Sequence, residues 1–284
     1  MEIIKANHIG FCYGVKRAIK RANQLINVVN GNDIYMLGEI IHNSQVIKKF
    51  KEQGIHVISE ISKVPCHKYL ITRAHGILKS EIQLAQEKRI QLIDTTCPYV
   101  NKLKQIAILL NKEGYQIFVF GDNNHPEIQS LLSYIDTDVQ VIQSINDIET
   151  QNISNLGKVG LISQTTNDFK QFKEIAIKML KHVDELRIYN TICKATALRQ
   201  DATRKLAKQV ELMIVVGGLN SANTTRLANI SKQLGVKTYH VETEEQLHKL
   251  WFKGKTKIGI TSGASTPDFV TESIVQKIKS ISSN

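Results

Sequence analysis

The stretch Asn7–Leu25, NHIGFCYGVKRAIKRANQL, joins two patterns at one cysteine. Just before it, residues 3–6 make a short strand-like run. After it, Val15, Ala18, Ile19, Ala22, Leu25 and Ile26 recur at helical spacing. Cys12 stands at the junction, with Gly10 and Gly14 close on either side. A strand that hands over directly to an amphipathic helix is the building block of a parallel sheet, because parallel neighbours need a crossover connection.

The same alternation continues along the chain. Strand-like β-branched runs fall near 3–6, 34–37, 56–59, 69–73, 91–94, 116–121, 139–143, 159–163, 186–189, 212–217, 238–242 and 257–261, with helix-period segments between most of them. This predicts an α/β architecture with largely parallel sheets. No segment is Gly/Ser-rich or of low complexity, so domain junctions must be short.

The chain has 284 residues, 42% of them hydrophobic, enough for a substantial core. The start, MEIIKANHIG, lacks a basic stretch followed by an apolar one, so no signal peptide is expected. The longest apolar runs, IAILL at 106–110 and LMIVV at 212–216, are too short to span a bilayer. The expectation is a soluble cytoplasmic protein with no membrane partner.

The formal charge is +11. Three readings compete: a composition rich in Lys, Ile and Asn, a small anionic substrate or acidic protein partner, and nucleic acid. No nucleic-acid-binding motif and no aromatic-interleaved basic cluster is present, and one Trp with eight Tyr and eight Phe offers few stacking platforms. A nucleic-acid partner is therefore not expected.

Of the four cysteines, none forms a CxxC pair, and without a secretory signal a disulfide framework is not expected. Cys66, in KVPCHKYL, precedes a strand and reads as structural. The other three follow strands, where ligands of open α/β sheets sit. So do His42, His75, His125 with Glu127, Thr165, Ser221 with Asn223, and Ser265. Cys12, Cys97 and Cys193 are 85 and 96 residues apart, and each is followed by two further polar turns, at 42 and 75, 125 and 165, 221 and 265. That spacing predicts three comparable α/β units over 1–96, 97–192 and 193–284.

Helix N-termini carry partial positive charge and free N–H groups, which favour thiolates and anions. Pro98 after Cys97 fits a helix start with the cysteine as cap. Three thiolates suit either a cubane iron–sulfur cluster with one iron open to substrate or a Cys₃His zinc site; zinc fingers use close ligand pairs, which are absent here. The histidines with Ser221, Asn223 and Ser265 supply neutral donors of the kind that cradle a phosphate or diphosphate at helix N-termini. Against these stand ordinary core cysteines, unrelated histidines, and a Glu127 in a helix's first turn for helix-dipole reasons alone.

GFCYGV, EIIHN, AHG, DTTCP, HPE, SQTT, NSANTTRL and SGASTPD, in this order and spacing, closely resemble the 4-hydroxy-3-methylbut-2-enyl diphosphate reductase (IspH/LytB) family from about residue 2 to 281. The resemblance implies a trefoil of the three units around one oxygen-sensitive 4Fe-4S cluster. Cys12, Cys97 and Cys193 would hold it, with the fourth iron open to substrate. It implies the last step of the methylerythritol phosphate route to isoprenoids: two electrons and two protons remove the substrate's allylic hydroxyl as water, giving isopentenyl and dimethylallyl diphosphate. His42, His75, His125, Ser221, Asn223 and Ser265 match diphosphate-binding positions. Glu127 matches the proton-delivering acid, Thr165 the hydroxyl paired with it, and Thr196, in CKAT, a polar residue beside the third ligand. An acidic flavodoxin or ferredoxin as electron donor would suit the basic surface, and a monomer is implied. The chain departs at Ala222, where relatives often carry a second serine, and it ends without the C-terminal tail of some of them. Two alternatives differ in class: another cluster-dependent enzyme acting on a small phosphorylated substrate, and a basic nucleic-acid-binding protein.

Overall fold

The computed structural model describes residues 1–150 and 156–282. In chain order the elements run β1 (Glu2–Lys5), α1 (Tyr13–Ile26), β2 (Ile34–Leu37), α2 (Ser44–Glu52), β3 (His56–Ile58), β4 (Tyr69–Ile71), α3 (Lys79–Glu87), β5 (Gln91–Ile93), α4 (Pro98–Lys112), β6 (Gln116–Phe120) and α5 (Pro126–Leu132). They continue with β7 (Val139–Ile142), α6 (Asp147–Thr150), β8 (Leu156–Ser163), α7 (Phe169–Met179), β9 (Val183–Ile188), α8 (Lys194–Ala207), β10 (Leu212–Val216), α9 (Ala222–Gln233), β11 (Lys237–Val241), β12 (Lys257–Ser262) and α10 (Asp268–Ser282). All twelve strand-like runs of the sequence are strands, to within a few residues at their ends.

The strands form three four-stranded sheets, ordered β3-β2-β4-β5, β7-β6-β8-β9 and β11-β10-β12-β1. Every pairing between these strands is parallel. The α/β, three-sheet expectation holds. Each sheet follows one plan: of three consecutive strands the first takes the second on one side and the third on the other, and β5, β9 or β1 lies beyond the third. The change of side makes a switch point between β2 and β4, between β6 and β8, and between β10 and β12. Ligands of open α/β sheets bind beyond the carboxyl ends of strands at such points.

The chain divides into two compact units. The first comprises Met1–Lys16, Ile41–Val46 and Lys194–Asn284. Its central strand β10 is buried throughout, and its side chains alternate between two cores. Leu212, Ile214 and Val216 join Val270, Ile274 and Ile278 of α10. On the other face Met213 joins Leu206 and Ala207 of α8, and Val215 joins Leu227 and Ala228 of α9. A strand covered on both faces explains the uninterrupted apolar run LMIVV.

The second unit comprises Arg17–Ile40 and Ile47–Cys193 and holds the other two sheets. Strand β6 repeats the two-faced pattern. Ile117 and Val119 pack with Leu103, Ala107 and Leu110 of α4, while Phe118 and Phe120 pack with Phe172, Ile175 and Met179 of α7. The β2–β5 sheet buries Leu37 and Leu70 with Ala85 of α3.

The expected boundaries need one correction. A unit spanning 1–96 would place β1 with β2–β5, but β1 pairs in register with β12, Glu2 opposite Lys257 and Lys5 opposite Ile260. The repeat is therefore shifted by one strand: β2–β5, β6–β9, and β10–β12 completed by β1. Each cysteine follows the last strand of a sheet instead of opening a new unit. A four-residue edge strand carries no local mark of which sheet it joins, so the 85- and 96-residue spacing shows the period and not its starting point.

Candidate active site

The three cysteines stand in one local geometry, repeated three times. The Cys97 amide donates to the carbonyl of Ala74 at 2.9 Å, the Cys193 amide to that of Thr165 at 3.0 Å, and the Cys12 amide to that of Ala264 at 3.0 Å. Each acceptor lies in the turn after the neighbouring strand. The residue two before each cysteine is clasped by a hydroxyl at the end of that same strand. The Thr95 amide donates to Thr72 Oγ1 at 2.9 Å, and the Gly10 amide to Ser262 Oγ at 3.0 Å. At Cys193 the roles reverse: the Ser163 amide donates to Thr191 Oγ1 at 2.8 Å. The sequence reading missed Thr72, Thr95, Ser163, Thr191 and Ser262. Their mark is a Ser or Thr at matching places in DTTCP, YNTIC, YLIT and GITS, visible only once the repeat is correctly phased.

Each cysteine then leads into a helix. Cys97 is the N-cap of α4, with Pro98 in the first turn. Cys12 Sγ accepts from the Val15 amide at 3.5 Å at the start of α1, and Cys193 directly precedes α8. All three are half-buried thiols outside any disulfide, whereas Cys66 is exposed. Half-buried thiols at helix N-termini, aligned by their own main-chain hydrogen bonds, are a donor set suited to a thiolate-ligated metal group.

In the second unit an acid stands at the β6/β8 switch point. His125 caps α5, and its Nδ1 accepts from the Glu127 amide at 3.2 Å, so the neutral ring carries its proton on Nε2. The His75 ring meets the His125 ring edge-on, centroids 5.4 Å apart. Beside His75, Gly76 sits at φ +106°, and a Cβ there would lie 2.5 Å from Ser130 Oγ, so only glycine lets α5 approach this turn. Glu127 is 1% exposed. Its Oε1 accepts from the Thr165 amide and its Oε2 from the Thr165 hydroxyl, both at 2.7 Å. Burial pushes the carboxyl up from 4.5 to about 7, and the two Thr165 hydrogen bonds pull against that rise. The result is an acid poised to give a proton near neutral pH.

In the first unit the β10/β12 switch point presents neutral donors. Ser221 caps α9, accepting from the Thr224 amide at 3.4 Å. The Ser265 hydroxyl donates to the His42 carbonyl at 3.0 Å, which ties the turn after β12 to the turn after β2. Asn223, in the first turn of α9, is 4% exposed, yet neither its Oδ1 nor its Nδ2 has a hydrogen-bond partner among the described residues. An unpaired buried amide costs free energy and is rare. Here it lies at a helix N-terminus, where an anion would find both the amide and the helix dipole. Thr196 is buried on the first turn of α8, three residues after Cys193.

Fold and site thus define a three-sheet α/β protein with a buried carboxylic acid at a sheet switch point. The sequence matches the family described as LytB protein over residues 3–279. It is 42% identical to the 4-hydroxy-3-methylbut-2-enyl diphosphate reductase of Citrifermentans bemidjiense, over 99% of this chain and 98% of that protein. It is also 42% identical to the enzyme of the same name from Syntrophotalea carbinolica, over 99% and 100%. Among solved structures it resembles an (E)-4-hydroxy-3-methyl-but-2-enyl diphosphate reductase, described as the terminal enzyme of the non-mevalonate pathway: TM-score 0.70, 39% identity, 99% of this chain and 100% of that one. It also resembles the E-1-hydroxy-2-methyl-but-2-enyl-4-diphosphate reductase of Plasmodium falciparum, with TM-score 0.90, 31% identity, and 96% and 86% covered. The chain belongs to the LytB family and is a reductase. No helix among the described residues is long and apolar enough to cross a membrane.

Proposed function

We propose that the chain reductively dehydroxylates 4-hydroxy-3-methylbut-2-enyl diphosphate to isopentenyl and dimethylallyl diphosphate plus water, in the last step of the methylerythritol phosphate route. The observation that carries this reading is the Glu127–Thr165 pair, a buried acid with its pKa raised to about 7 and both oxygens held by a second residue. Loss of a hydroxyl as water needs a proton delivered to that oxygen, and a carboxyl near pKa 7 holds one under physiological conditions. Thr165 fixes both carboxyl oxygens and presents its own oxygen beside them, where it accepts as well as donates.

His42, His75, His125, Ser221, Asn223 and Ser265 hold the diphosphate, and Thr196 lines the site beside Cys193. These are largely neutral donors, and remote binding of this kind orients the allylic end without stabilising a competing charge at the reacting carbon. Cys12, Cys97 and Cys193 hold a 4Fe-4S cluster, supported by their repeated geometry at three helix starts. Such a cluster would pass to the substrate, one at a time, the electrons that no side chain can supply. The electron donor is an acidic flavodoxin or ferredoxin attracted to the basic chain, which acts as a cytoplasmic monomer.

The test is anaerobic reconstitution with iron and sulfide, followed by turnover of the hydroxylated diphosphate with a chemical reductant. About four irons per chain and formation of both products are expected, as a cubane requires. A colourless, iron-free chain, or a loaded one that leaves the allylic alcohol intact, overturns the proposal.

A further inference from the structure

Gln164 stands in the SQTT run, directly before Thr165. It is 2% exposed, and both ends of its side-chain amide are paired. Its Oε1 accepts from the Asp122 amide at 3.0 Å, and its Nε2 donates to Thr166 Oγ1 at 3.1 Å. Asp122 lies in the turn after β6 and Thr166 in the turn after β8. One buried side chain thus joins the two turns on either side of the β6/β8 switch point.

The contacts close into a ring. The Asp122 carbonyl accepts from the His125 amide at 3.0 Å, and His125 Nδ1 accepts from the Glu127 amide. The Glu127 carboxyl is held by Thr165, the chain neighbour of Gln164. Main-chain bonds brace the same ring: the Gln164 amide donates to the Phe120 carbonyl at 2.8 Å, and the Asn167 amide to the Gln164 carbonyl at 3.2 Å. Gly121 leaves the room the ring needs. A Cβ there would lie 3.2 Å from Gln164 Oε1 and 3.0 Å from Ile128 Cδ1, too tight for both the bridge and α5.

Burying an amide costs desolvation that its hydrogen bonds barely recover, and an apolar side chain of the same shape would fill this place at little loss of stability. The bridge is better explained by what it positions. Burial and the two Thr165 bonds set the proton affinity of Glu127, and no charged group among the described residues contributes to it.

We propose that Gln164 is a positioning residue for the acid: by bolting the turn after β6 to the turn after β8, it fixes how closely Thr165 holds the Glu127 carboxyl. Hydrogen bonds to the ionised form favour it, so a looser grip leaves burial less opposed and the acid weaker. The delivery of that proton to a substrate rests on the function proposed above, whereas the bridge does not.

The experiment uses the metal-free chain, isotope-labelled at its glutamate carboxyls and read by NMR. The Glu127 resonance is the one lost in Glu127→Gln, and in wild type it should titrate with a midpoint of about 7. Gln164→Met keeps the length of the side chain and loses both bonds. It should raise the midpoint by about one pH unit, a tenfold change in the protonation equilibrium. Thr166→Val removes one end of the bridge and should raise the midpoint by less, while Thr166→Ser keeps a hydroxyl there and should leave it at the wild-type value. A general loss of stability would not order the variants in this way. In Gln164→Met the Thr165 amide, which donates to Glu127, should exchange with solvent on the order of tenfold faster, while amides of β6 keep their protection. A midpoint unchanged in both Gln164→Met and Thr166→Val overturns the proposal, as does an equal shift in Thr166→Val and Thr166→Ser. Should Gln164→Met not fold, the two Thr166 variants decide. In the reconstituted protein, the pH above which turnover falls should move up with the Glu127 midpoint. Turnover that does not follow a midpoint that has moved overturns the proton-delivering role of Glu127 instead, and the titration still decides the bridge.

Discussion

Glu127 sets the pH behaviour of the molecule. Its folded-state pKa of about 7 lies above the ordinary 4.5, so the folded chain binds an extra proton between these values. The stability this group contributes is fully present below about pH 4.5 and is lost as pH rises through about 7, where a buried charge replaces a neutral acid. Urea titration of the metal-free chain should show stability falling between about pH 4.5 and 7 and levelling off above that, and Glu127→Gln should flatten that slope. In the same variant, turnover should drop by about 10²–10⁴-fold with cluster uptake unchanged, because shape and hydrogen bonding persist while the transferable proton is gone. The wild-type rate should fall above about pH 7, and the residual rate of the variant should not follow it. Asn223 makes the opposite trade. Asn223→Leu removes an unpaired buried amide, so the ligand-free chain should be as stable as wild type or more so in thermal melts. Diphosphate affinity, measured by calorimetry, should weaken by roughly 1.5–3 kcal/mol, the worth of a hydrogen bond to a charged group. The sequence marked Glu127, Thr165 and Asn223 as residues to watch. It could not show that one residue would hold both carboxyl oxygens, because that needs the turn after β8 brought beside the start of α5.

At the scale of elements, the helix starts differ in how they are capped. Ser221 spends its oxygen on the Thr224 amide, so it stabilises α9 as well as facing the site. Ser221→Ala should therefore lower stability by about 1 kcal/mol, read in the melting temperature, alongside any loss of affinity. Ala222, the first residue of α9, caps nothing. Ala222→Ser should leave the melt unchanged and tighten diphosphate binding by on the order of 1 kcal/mol, since a water in the alanine's place recovers part of the bond. Equal affinities would mean that position 222 faces elsewhere. Pro98 and the apolar periodicity of α4 were readable because they are local. The hydroxyl clasps at Thr72–Thr95 and Ser163–Thr191 were not, because each joins strand ends more than 20 residues apart, and an isolated Thr looks the same whether it clasps a turn or faces water.

At the scale of the whole molecule, the strand-shifted repeat gives Cys12, Cys97 and Cys193 one shared setting, after the last strand of a sheet, that Cys66 lacks. Cys12→Ser, Cys97→Ser and Cys193→Ser should each lose the cluster absorbance and activity, while Cys66→Ser, on an exposed loop, keeps both. The three-sheet plan was legible because strand runs and helix periods recur along the entire sequence. Its phase was not, because only β1 departs from chain order, and four residues at a sheet edge give no local hint of a partner some 250 positions away. That pairing has a consequence for synthesis. Residues 2–5 leave the ribosome some 250 residues ahead of their partner strand, 257–262. At ordinary elongation rates of about 5–20 residues per second, the N-terminal segment waits on the order of tens of seconds before its sheet can close. The sheets ending at Cys97 and Cys193 have all their strands long before then. The Cys12 turn, which hangs on Ser262 and Ala264, forms only once those residues have been made. An order of birth is thus written into the topology: the first of these three thiols to be made is the last to be fixed in place, and a chain that stops short of Ala264 cannot present all three.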